Sequence, residues 1–600
     1  MAEGVRRMLQ AEQEAILRLA RERMSTIAAA ESEIRATALE DMRFAYNLEE
    51  GQWPTAIRME RARDARPVLT HNKLRKFIAA VANRAATTKP AIDVKPVDDA
   101  SDPAIARIYK DLIRSIEYAS QADAIYAQAI QHAVAIGFGY WRLLTRYCED
   151  SFDQELFLAG IDNPFSVYLD PFGRYGFIRS SLSRSEFAQE YPTANPVEFG
   201  DAGLGDDSRW WVEKDRIIIA EYFWKESAIT RLAQVREPMS GQVQVLTLRK
   251  GLDMGDLTAQ GYEILRTREA KGHQVKWAKL SGLEVLEIQD WPGTEVPIVE
   301  VCGDKVVLDG KIYKRSLIRD AKDPQQMYNF WMTAMTETIA LAPKAPFLLT
   351  AQEIQGYEAM WDEAPLKNRM YLLFNQMGGR VPARERPPEV PTGALAMLKI
   401  ADSDIKDVIG IFEPGLGDVS NERSGRAIMA RQGRSDLGTW HFQEHLRQAI
   451  VKTGKLFIEL IPTIYDTERV LRIRGEDGQE QRVPINQSVV DLQTGIRQII
   501  NDLSVGKYDI EADIRAYQTR REEATEMMIQ TLQYAPSVAP YILDLIFKYS
   551  DWPGSDEIAA RLRALLAQPP QAPPNGSSAA NPAAPPMPMS LMAALPQSGG

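Results

Sequence analysis

The first part of the chain carries hydrophobic residues at the spacing of amphipathic helices. From Val5 to Tyr46, apolar side chains recur every three or four positions among Arg and Glu, which predicts one or two helices. Another helical stretch ends near Gly137. Between them, one predicted helical face comprises Leu74, Phe77, Ile78, Val81 and Ala82.

The pattern changes between Gly139 and about Arg315, where short runs of β-branched and aromatic residues alternate with Gly, Pro and Asp. The runs RIIIAEYFW, QVQVLTL and VPIVEVCG are typical of strands. A second region of this kind extends from Thr467 to Tyr517. The sequence therefore predicts a protein of the α+β class.

Two helical runs flank a Pro-rich segment in the middle of the chain. The first is predicted to begin with Asp323 as its capping residue and Pro324 in the first helical position, and to last until Ala342. Its roughly 18 residues would span about 27 Å. The second run covers Ala394 to Ile411.

A Gly-rich segment, EPGLGDVSNERSG, follows the second run. Pro414, Gly415 and Gly417 forbid a regular helix there. The next helix is predicted to extend from Ser424 to Ile461, with Pro462 ending it. Candidate capping residues for that helix are Asp418, Ser420 and Asn421.

The C-terminal part is predicted to hold three helical segments, at Arg520–Gln533, Tyr541–Tyr549 and Asp556–Ala567. From Gln568 onward the chain has no charged residue and is rich in Pro, Ala and Ser. Such a composition cannot bury enough surface to order itself, so we expect a disordered tail. Docking of its MSLMAAL patch on a partner is the less favoured alternative.

Composition and charge limit the possible functions. The chain of 600 residues has 82 acidic and 71 basic side chains, a formal net charge of -11, and lacks the basic footprint of a sequence-specific nucleic-acid binder. Cys148 and Cys302 are its two cysteines, too few for a disulfide framework. No stretch approaches the roughly 18 apolar residues of a membrane span, and the N-terminus lacks the apolar core of a signal peptide. We expect a soluble, unexported protein that makes no membrane contact.

The sequence offers no convincing catalytic motif. It contains neither a G-x-x-x-x-G-K-[ST] phosphate loop nor a G-x-S-x-G elbow, which argues against an ATP-driven motor and a serine hydrolase. Gly137-Phe-Gly139 lacks the third glycine of a dinucleotide fingerprint and predicts a turn that joins a helix to a strand. We therefore expect no catalytic residue and no cofactor.

One stretch has the spacing of a metal site. His441, Glu444 and His445 fit H-x-x-E-H, which leaves a metalloenzyme as an alternative hypothesis. With five histidines in the chain and no third ligand indicated by another motif, a packed helix is the favoured interpretation and no metal is expected.

Several stretches resemble the portal family of short-tailed, headful-packaging phages, and the resemblance covers about residues 40 to 535. The most specific is DIKDVIGIFEPGLGDVSNERSGRAIMARQ, which places a helix, a glycine loop and a Ser-Gly-Arg-Ala-Ile motif in order. The others are RPVLTHNKLRKFIAAVAN with PAIDVKPVD, IGFGYWRLLTRY, NPFSVYLDP, RSLIRDAKDPQQMYNFWMTAMTETIALAPKAPFLLT and YDIEADIRAYQTRREEATEMM.

The resemblance implies a ring-shaped homo-oligomer, a ring of twelve, that forms the DNA channel at one capsid vertex of a virion assembled in the host cytoplasm. Its expected partners are double-stranded DNA without sequence specificity, the terminase large subunit, scaffolding protein, major capsid protein and tail adaptor or head-completion proteins. It would nucleate procapsid assembly, sense head filling and let DNA exit on ejection. Another virion structural component, a minor head or connector protein, is the alternative.

The resemblance also implies a layout of mixed wing, helical stem, small α/β clip and helical crown. The expected parts are N-terminal helices and wing (1–315), stem helix 1 (316–341), clip (342–392), stem helix 2 (393–412), channel loop (413–423), long wing helix and second strand-rich wing segment (424–519), crown (520–567) and disordered tail (568–600).

Particular residues are implied for the channel. The channel loop would comprise Glu413, Pro414, Gly415, Leu416, Gly417, Asp418, Val419, Ser420, Asn421, Glu422 and Arg423. The motif after it comprises Ser424, Gly425, Arg426, Ala427, Ile428, Arg431 and Gln432. Stem residues would be Asp323, Pro324, Tyr328, Trp331, Met335, Leu398, Asp404 and Lys406.

Overall fold

The computed structural model describes most of the chain and leaves gaps between the described segments. The described residues are 2–87, 90–97, 101–148, 151–197, 208–213, 215–236, 238, 241, 243–248, 254–259, 261–340, 347–364, 370–376, 381–384, 392–411, 437–475, 480–490, 497–513, 517–549, 558 and 561–562. The predicted channel loop, the motif at 424–432, the tail and most of the third C-terminal helix lie outside them.

Helices form the N-terminal part, as the hydrophobic spacing predicts. They are α1 (Ala2–Tyr46), α2 (Thr55–Arg63), α3 (Leu74–Thr87), α4 (Pro103–Ala119) and α5 (Ala122–Ile136). Where one or two helices were expected, α1 is a single helix of 45 residues. Gly137 ends α5 with φ of 98°, a left-handed conformation that favours glycine, and the next residue begins a strand. The predicted turn at Gly137 is confirmed.

The following region is rich in antiparallel strands, as predicted. Its largest sheet has the order β10-β9-β7-β5-β4, with β6 and β8 also paired to β7. A smaller sheet has the order β11-β2-β3. The bounds are β1 (Ala91–Pro96), β2 (Phe138–Tyr147), β3 (Gln154–Gly160), β4 (Val167–Leu169), β5 (Tyr175–Ser183), α6 (Arg184–Glu190), α7 (Ser208–Trp211), β6 (Val212–Glu213), β7 (Arg216–Arg236), β8 (Val243–Leu248), α8 (Met254–Ala259), β9 (Glu263–Leu280), β10 (Val285–Asp290), β11 (Ile298–Cys302), β12 (Asp304–Leu308) and β13 (Lys311–Arg315).

The middle and C-terminal parts return to helices, with short strands between them. The bounds are α9 (Lys322–Ala340), β14 (Phe347–Leu348), α10 (Ala351–Ile354), α11 (Glu358–Glu363), β15 (Ala383–Arg384), α12 (Thr392–Ile409), α13 (Trp440–Ile464), β16 (Arg469–Arg474), β17 (Glu480–Ile485), β18 (Gln487–Val490), β19 (Arg497–Ile500), β20 (Tyr508–Asp513), α14 (Tyr517–Tyr534) and α15 (Ala539–Tyr549). The mixed helix and sheet composition of the α+β class is confirmed.

Two predicted helix ends are wrong. Asp323 is not a capping residue, because α9 begins at Lys322 directly after a 3-10 turn at Arg319–Ala321. Pro462 does not end its helix, since α13 continues to Ile464. A proline interrupts a helix because it lacks the N–H for one backbone hydrogen bond and because its ring crowds the preceding turn. In α13 this cost falls in the last turn, where Leu460, Ile461 and Ile464 are buried and hold the backbone in place.

Two cores organise the described residues. The larger joins the end of α1, helices α3 to α5, the β11-β2-β3 sheet and α13, and the indole N–H of Trp141 in it donates to Thr453 Oγ1 at 2.9 Å. The second core lies between the first half of α1 and the large sheet, where Phe177, Tyr222 and Trp224 stack at centroid distances of 4.5 and 4.7 Å. Strand β20 pairs with β1, so the C-terminal strands pack beside the N-terminal helices.

Candidate functional site: a helix pair anchored by buried polar residues

Helices α9 and α12 pack against each other, and we call them the helix pair. Lys73, just before α3, connects both members. Its ammonium nitrogen lies 4.1 Å from the centroid of the Tyr328 ring on α9 and forms an ion pair with Asp402 on α12. Burial raises the pKa of Asp402, but hydrogen bonds and charges from Lys73 and Lys406 outweigh it and hold that pKa below its usual range. The helix pair is therefore tied to the N-terminal helices by charge as well as packing.

A row of four polar side chains, which we call the polar ladder, follows one buried side of α9. Its members are four residues apart and only 0 to 8% exposed: Gln325, Asn329, Thr333 and Glu337. Residues at this spacing lie one above another on a helix, about 6 Å apart. Because buried polar groups are costly without partners, each member must find hydrogen bonds on the surface that it faces.

The chain segment before α3 supplies most of these bonds. Gln325 accepts a hydrogen bond from the Lys73 amide at 3.1 Å and donates to the His71 carbonyl at 2.9 Å. Asn329 accepts from the His71 amide at 3.0 Å, and the Thr333 hydroxyl lies 3.3 Å from both the N and O of Leu69. Every second residue of an extended chain faces the same side, at a repeat of about 6.7 Å, which is close to the spacing of about 6 Å along the polar ladder. The side chains of α9 therefore bond the backbone of this segment as a neighbouring strand would.

Asn329 is the most connected member of the polar ladder. Its carbonyl oxygen also accepts from the Gln325 amide at 3.0 Å, and its own amide donates to the Gln52 carbonyl oxygen at 2.9 Å. Gln52 in turn donates to the backbone carbonyl of Phe44, at the end of α1, at 3.0 Å. One amide side chain therefore joins α9 to two separate parts of the N-terminal region.

Charged groups hold α9 near both of its ends. Near the C-terminal end, Glu337 accepts from Arg61 at 2.7 Å and from Arg66 at 2.6 Å. At the beginning, the fully buried carboxylate of Asp41 on α1 accepts from Arg319 at 2.7 Å and forms an ion pair with Lys322 at 2.7 Å. These contacts fix the position of α9 along the N-terminal helices.

Glu337→Gln should destabilise the fold at neutral pH, and the effect should fade on acidification. The hydrogen bond from Arg66 is the main cause that holds the pKa of Glu337 below its usual range, against burial and with help from Arg61. The free energy of unfolding gained from this ionised carboxylate is present above its unfolded pKa of about 4.3 and is lost as the pH falls towards its lower folded pKa.

Urea denaturation at pH 7 and at a pH below 4 would measure this difference between wild type and Glu337→Gln. Asp362→Asn, an exposed carboxylate on α11, is a control that should change stability little at either pH. An equal loss for Glu337→Gln at both pH values would show that the ion pairs do not contribute as stated.

The residues expected on the helix pair occupy different environments. Tyr328 is buried against Lys73 and His71, and Lys406 lies 3.6 Å from Asp402. Because Lys73 and Asp402 form an ion pair, they bring Tyr328 and Lys406 into one cluster. Leu398 packs on the larger core. Asp323 is exposed in the first turn of α9, whereas Pro324, Trp331, Met335 and Asp404 are half-buried and do not join this cluster.

The helix pair also leaves apolar side chains in contact with solvent. Their exposed fractions lie between 42 and 50%, and the residues are Met327, Phe330, Leu395, Ile400 and Val408. Single exposed apolar residues are ordinary on protein surfaces. On the helix pair, these five leave apolar area that a neighbouring subunit or partner would cover.

A small unit lies between the two helices in the sequence. The Trp361 indole donates to the Leu373 carbonyl at 2.8 Å and meets the Phe347 ring edge-on at a centroid distance of 5.0 Å. Strand β14 pairs with β15, which closes this unit onto itself. The described part of residues 347–384 therefore combines short helices with a two-stranded sheet.

The polar ladder was not predicted from the sequence, although one signal was present. Four polar residues share one side of this helical run, and three of them are uncharged, whereas the solvated face of a surface helix is usually rich in charged residues. Their partners, Gln52 and the segment from Leu69 to Lys73, lie more than 250 residues away, and no local pattern in the sequence links them to α9.

The His441, Glu444 and His445 stretch does not converge on a common point. Both oxygens of Glu444 accept hydrogen bonds from Arg447, at 2.8 and 2.7 Å, and one also accepts from Gln448. The two imidazole rings are 6.2 Å apart between centroids. Throughout the described segments, no group of three or more His, Cys, Asp or Glu side chains is arranged to hold a metal ion. Nor does any helix in those segments have the length and apolarity needed to cross a membrane.

Comparison with known proteins places the helix pair within a long match. The sequence model of the family of phage P22-like portal proteins matches residues 21–598. The chain is also 23% identical, over 533 residues, to a protein named "Portal protein" from Acyrthosiphon pisum secondary endosymbiont phage 1. This match covers 83% of the chain and 73% of that relative.

Proposed function

Because this chain belongs to the family of phage P22-like portal proteins, we propose that it forms the ring-shaped DNA channel at one vertex of a phage capsid. The family is a class of structural, non-enzymatic proteins of the virion. The observation that carries the proposal is the family match over residues 21–598, which includes the helix pair and the small unit between its members.

The helix pair suits the wall of a channel. In a ring, α9 and α12 of neighbouring subunits would stand side by side as the stem, and the exposed Met327, Phe330, Leu395, Ile400 and Val408 would be covered there. The polar ladder would hold the stem at a fixed height on the N-terminal helices and wing. Residues 342–392 would then project as the clip, where the terminase large subunit docks first and tail adaptor or head-completion proteins later.

The channel loop at 413–423 would meet the DNA. Glu413, Asp418 and Glu422 outnumber Arg423 in this segment. A duplex that a motor pushes past must slide, and each phosphate neutralised by Lys or Arg would add affinity and slow it. An acidic loop therefore fits a passive conduit, with the driving force supplied by the terminase.

The remaining roles follow from the ring. Scaffolding and major capsid proteins would start procapsid assembly around the ring, the ring would sense head filling, and residues 520–567 would form its helical crown.

Electron microscopy of the purified chain tests the ring directly. Negative-stain images should show particles of several hundred kilodaltons with a central hole and rotational symmetry near twelvefold. Monomers or dimers alone at micromolar concentration, across several salt concentrations, would contradict the proposal.

Deletion of Leu416–Val419 should leave rings intact and abolish packaging or retention of DNA, because it shortens the segment proposed to contact the duplex. Counting DNA-filled heads in an infection complemented with the variant would measure this. Deletion of Asn575–Ser578 in the tail is the matched control and should package normally. Normal packaging by both deletions would favour a minor head or connector protein without a channel role.

A further inference from the structure

Strands β7 and β9 continue beyond the body of the molecule as a two-stranded arm. Trp224 on β7 is 2% exposed and belongs to the second core, whereas Ile229, five residues further, is 73% exposed. Burial returns at the far end, where Ala233 and Val235 of β7 and Leu257 of α8 form a small cluster, with residues of β8 packed against it. A two-stranded ribbon with nothing packed on its faces is only marginally stable in water. The middle of the arm therefore lacks the contacts that a free-standing element needs.

Along the arm, backbone groups on the outer edge of β9 have no partner among the residues that the structure describes. The Val275 amide donates to the Gly293 carbonyl at 3.3 Å, and the Val275 carbonyl accepts from the Trp291 amide at 3.0 Å. The backbone N–H and C=O of Val275 therefore point away from β7. The Lys225 amide, opposite Val275, likewise points away from β9 and donates to the Arg174 carbonyl oxygen at 2.9 Å. Since alternate residues share a direction, the backbone groups of Thr267, Glu269, Lys271 and His273 face the outer edge.

That outer edge meets no other strand among the described residues. Strand β10 pairs with β9 only from Lys276 to Leu280. Within the described part of the chain, the N–H and C=O groups of the four outward-facing residues between Thr267 and His273 therefore have no strand to pair with. Such a row is a template for an additional strand.

The arm is basic, although the chain is acidic. From Lys225 to Lys276 there are nine Lys and Arg against six Asp and Glu, a net charge of +3. With a total of -11, the rest of the chain carries -14. The remainder of a second copy of this chain therefore has a net charge opposite in sign to that of the arm.

Part of this positive charge has no partner within the described segments. Arg231 pairs with Glu269 at 3.4 Å and Arg236 with Glu263 at 2.6 Å. In contrast, Arg266 donates only to the neutral amide of Gln234, at 2.6 Å, and neither Arg268 nor Lys271 has an ion pair with a described residue. All three lie on β9, beside the free edge.

We propose that the outer edge of β9, from Thr267 to His273, binds an extended acidic segment of a second copy by strand addition. The backbone groups of this edge would pair with that segment, and Arg266, Arg268 and Lys271 would face its carboxylates. The inference rests on the proposed ring, in which each subunit has a neighbour, and adds a specific contact between neighbours.

Charged residues on an edge strand can instead protect it from pairing at all. The two explanations predict opposite results. If Arg266, Arg268 and Lys271 protect the edge, then replacing them with Gln should increase association or cause aggregation. If they bind a neighbour, the triple replacement should leave more soluble monomer and fewer rings.

A single proline substitution separates the contribution of backbone pairing from that of charge. Lys271→Pro removes an N–H that points outward and leaves the ladder to β7 intact, because proline is tolerated on an edge strand. We expect this variant to need a protein concentration about tenfold higher to form rings, which corresponds to roughly one lost hydrogen bond. Lys271→Gln removes only the charge and should have a smaller effect. Equal ring formation by wild type and Lys271→Pro would overturn the proposal.

Isotope-mixed crosslinking identifies the occupant. Rings assembled from equal parts of normal and ¹⁵N-labelled chains would be treated with a zero-length carbodiimide, which joins an amine to a carboxylate. Mass spectrometry should find Lys271 joined to Asp or Glu of the other isotope, and Arg268→Lys should add a second such link. Links within one isotope only, or no link at Lys271, would overturn the proposal. If wild-type chains form no ring, the proposed function itself fails, which is a distinct result.

Discussion

Gly139→Ala is expected to lower the free energy of unfolding by about 3 kcal/mol or more, since it forces a methyl group into backbone atoms. Gly139 lies in β2, directly against α5. A Cβ at this position would sit 2.7 Å from the carbonyl carbon of Ala129 and 3.0 Å from its Cα, and closer still to its oxygen. None of these atoms can rotate away, because they belong to the backbone of a buried helix.

Urea denaturation followed by far-ultraviolet circular dichroism would measure this loss. Gly393→Ala is the matched control: Gly393 is in α12, and nothing lies within 4 Å of an added Cβ. Alanine is the better helix former, so this control should be neutral or stabilise by a few tenths of a kcal/mol. Similar losses for the two variants would show that the contact between β2 and α5 is not as tight as described.

The sequence predicted those features of the fold that depend on local periodicity. The apolar spacing from Val5 to Tyr46 and in α3 repeats at the period of a helix, and the β-branched runs after Gly139 repeat at that of strands. Gly137 was predicted as a turn from its position between the two patterns. Local spacing is enough for such elements because each side of a helix or strand must face either core or solvent.

Helix ends and long-range contacts were harder to predict. The capping role of Asp323 failed because the 3-10 turn before α9 leads directly into the helix, and Pro462 was tolerated because tertiary packing holds the last turn of α13. The close approach of Gly139 to Ala129 and the partners of the polar ladder depend on how distant segments meet. No periodicity encodes that meeting, so the candidate site was predicted only as a helix pair, without its anchorage.

Asn329→Leu is expected to be among the most destabilising substitutions on α9. Leucine has the branched shape of asparagine, with two methyl groups in place of the polar atoms and a larger volume, so the change opens no cavity and removes the hydrogen bonds. It leaves the His71 amide and the Gln52 carbonyl oxygen without their partner in a site that is 1% exposed, and the Gln325 amide keeps its bond to the His71 carbonyl but loses its second acceptor. At about 1 to 3 kcal/mol for each buried group left unpaired, the expected loss is about 3 kcal/mol or more.

The polar ladder explains why this loss should extend beyond α9. Because Asn329 joins α9 both to Gln52 and to the segment before α3, its removal should also speed hydrogen exchange of the His71 amide, which no helix or sheet protects. Thr336→Ala is the control: this exposed residue of α9 bonds only within its own helix, at 2.8 Å to Met332, and should cost less than about 0.5 kcal/mol. Denaturation midpoints and exchange rates measured on both variants would decide the matter. If Asn329→Leu matched the control in both, the buried hydrogen bonds would not be what fixes α9 on the N-terminal helices.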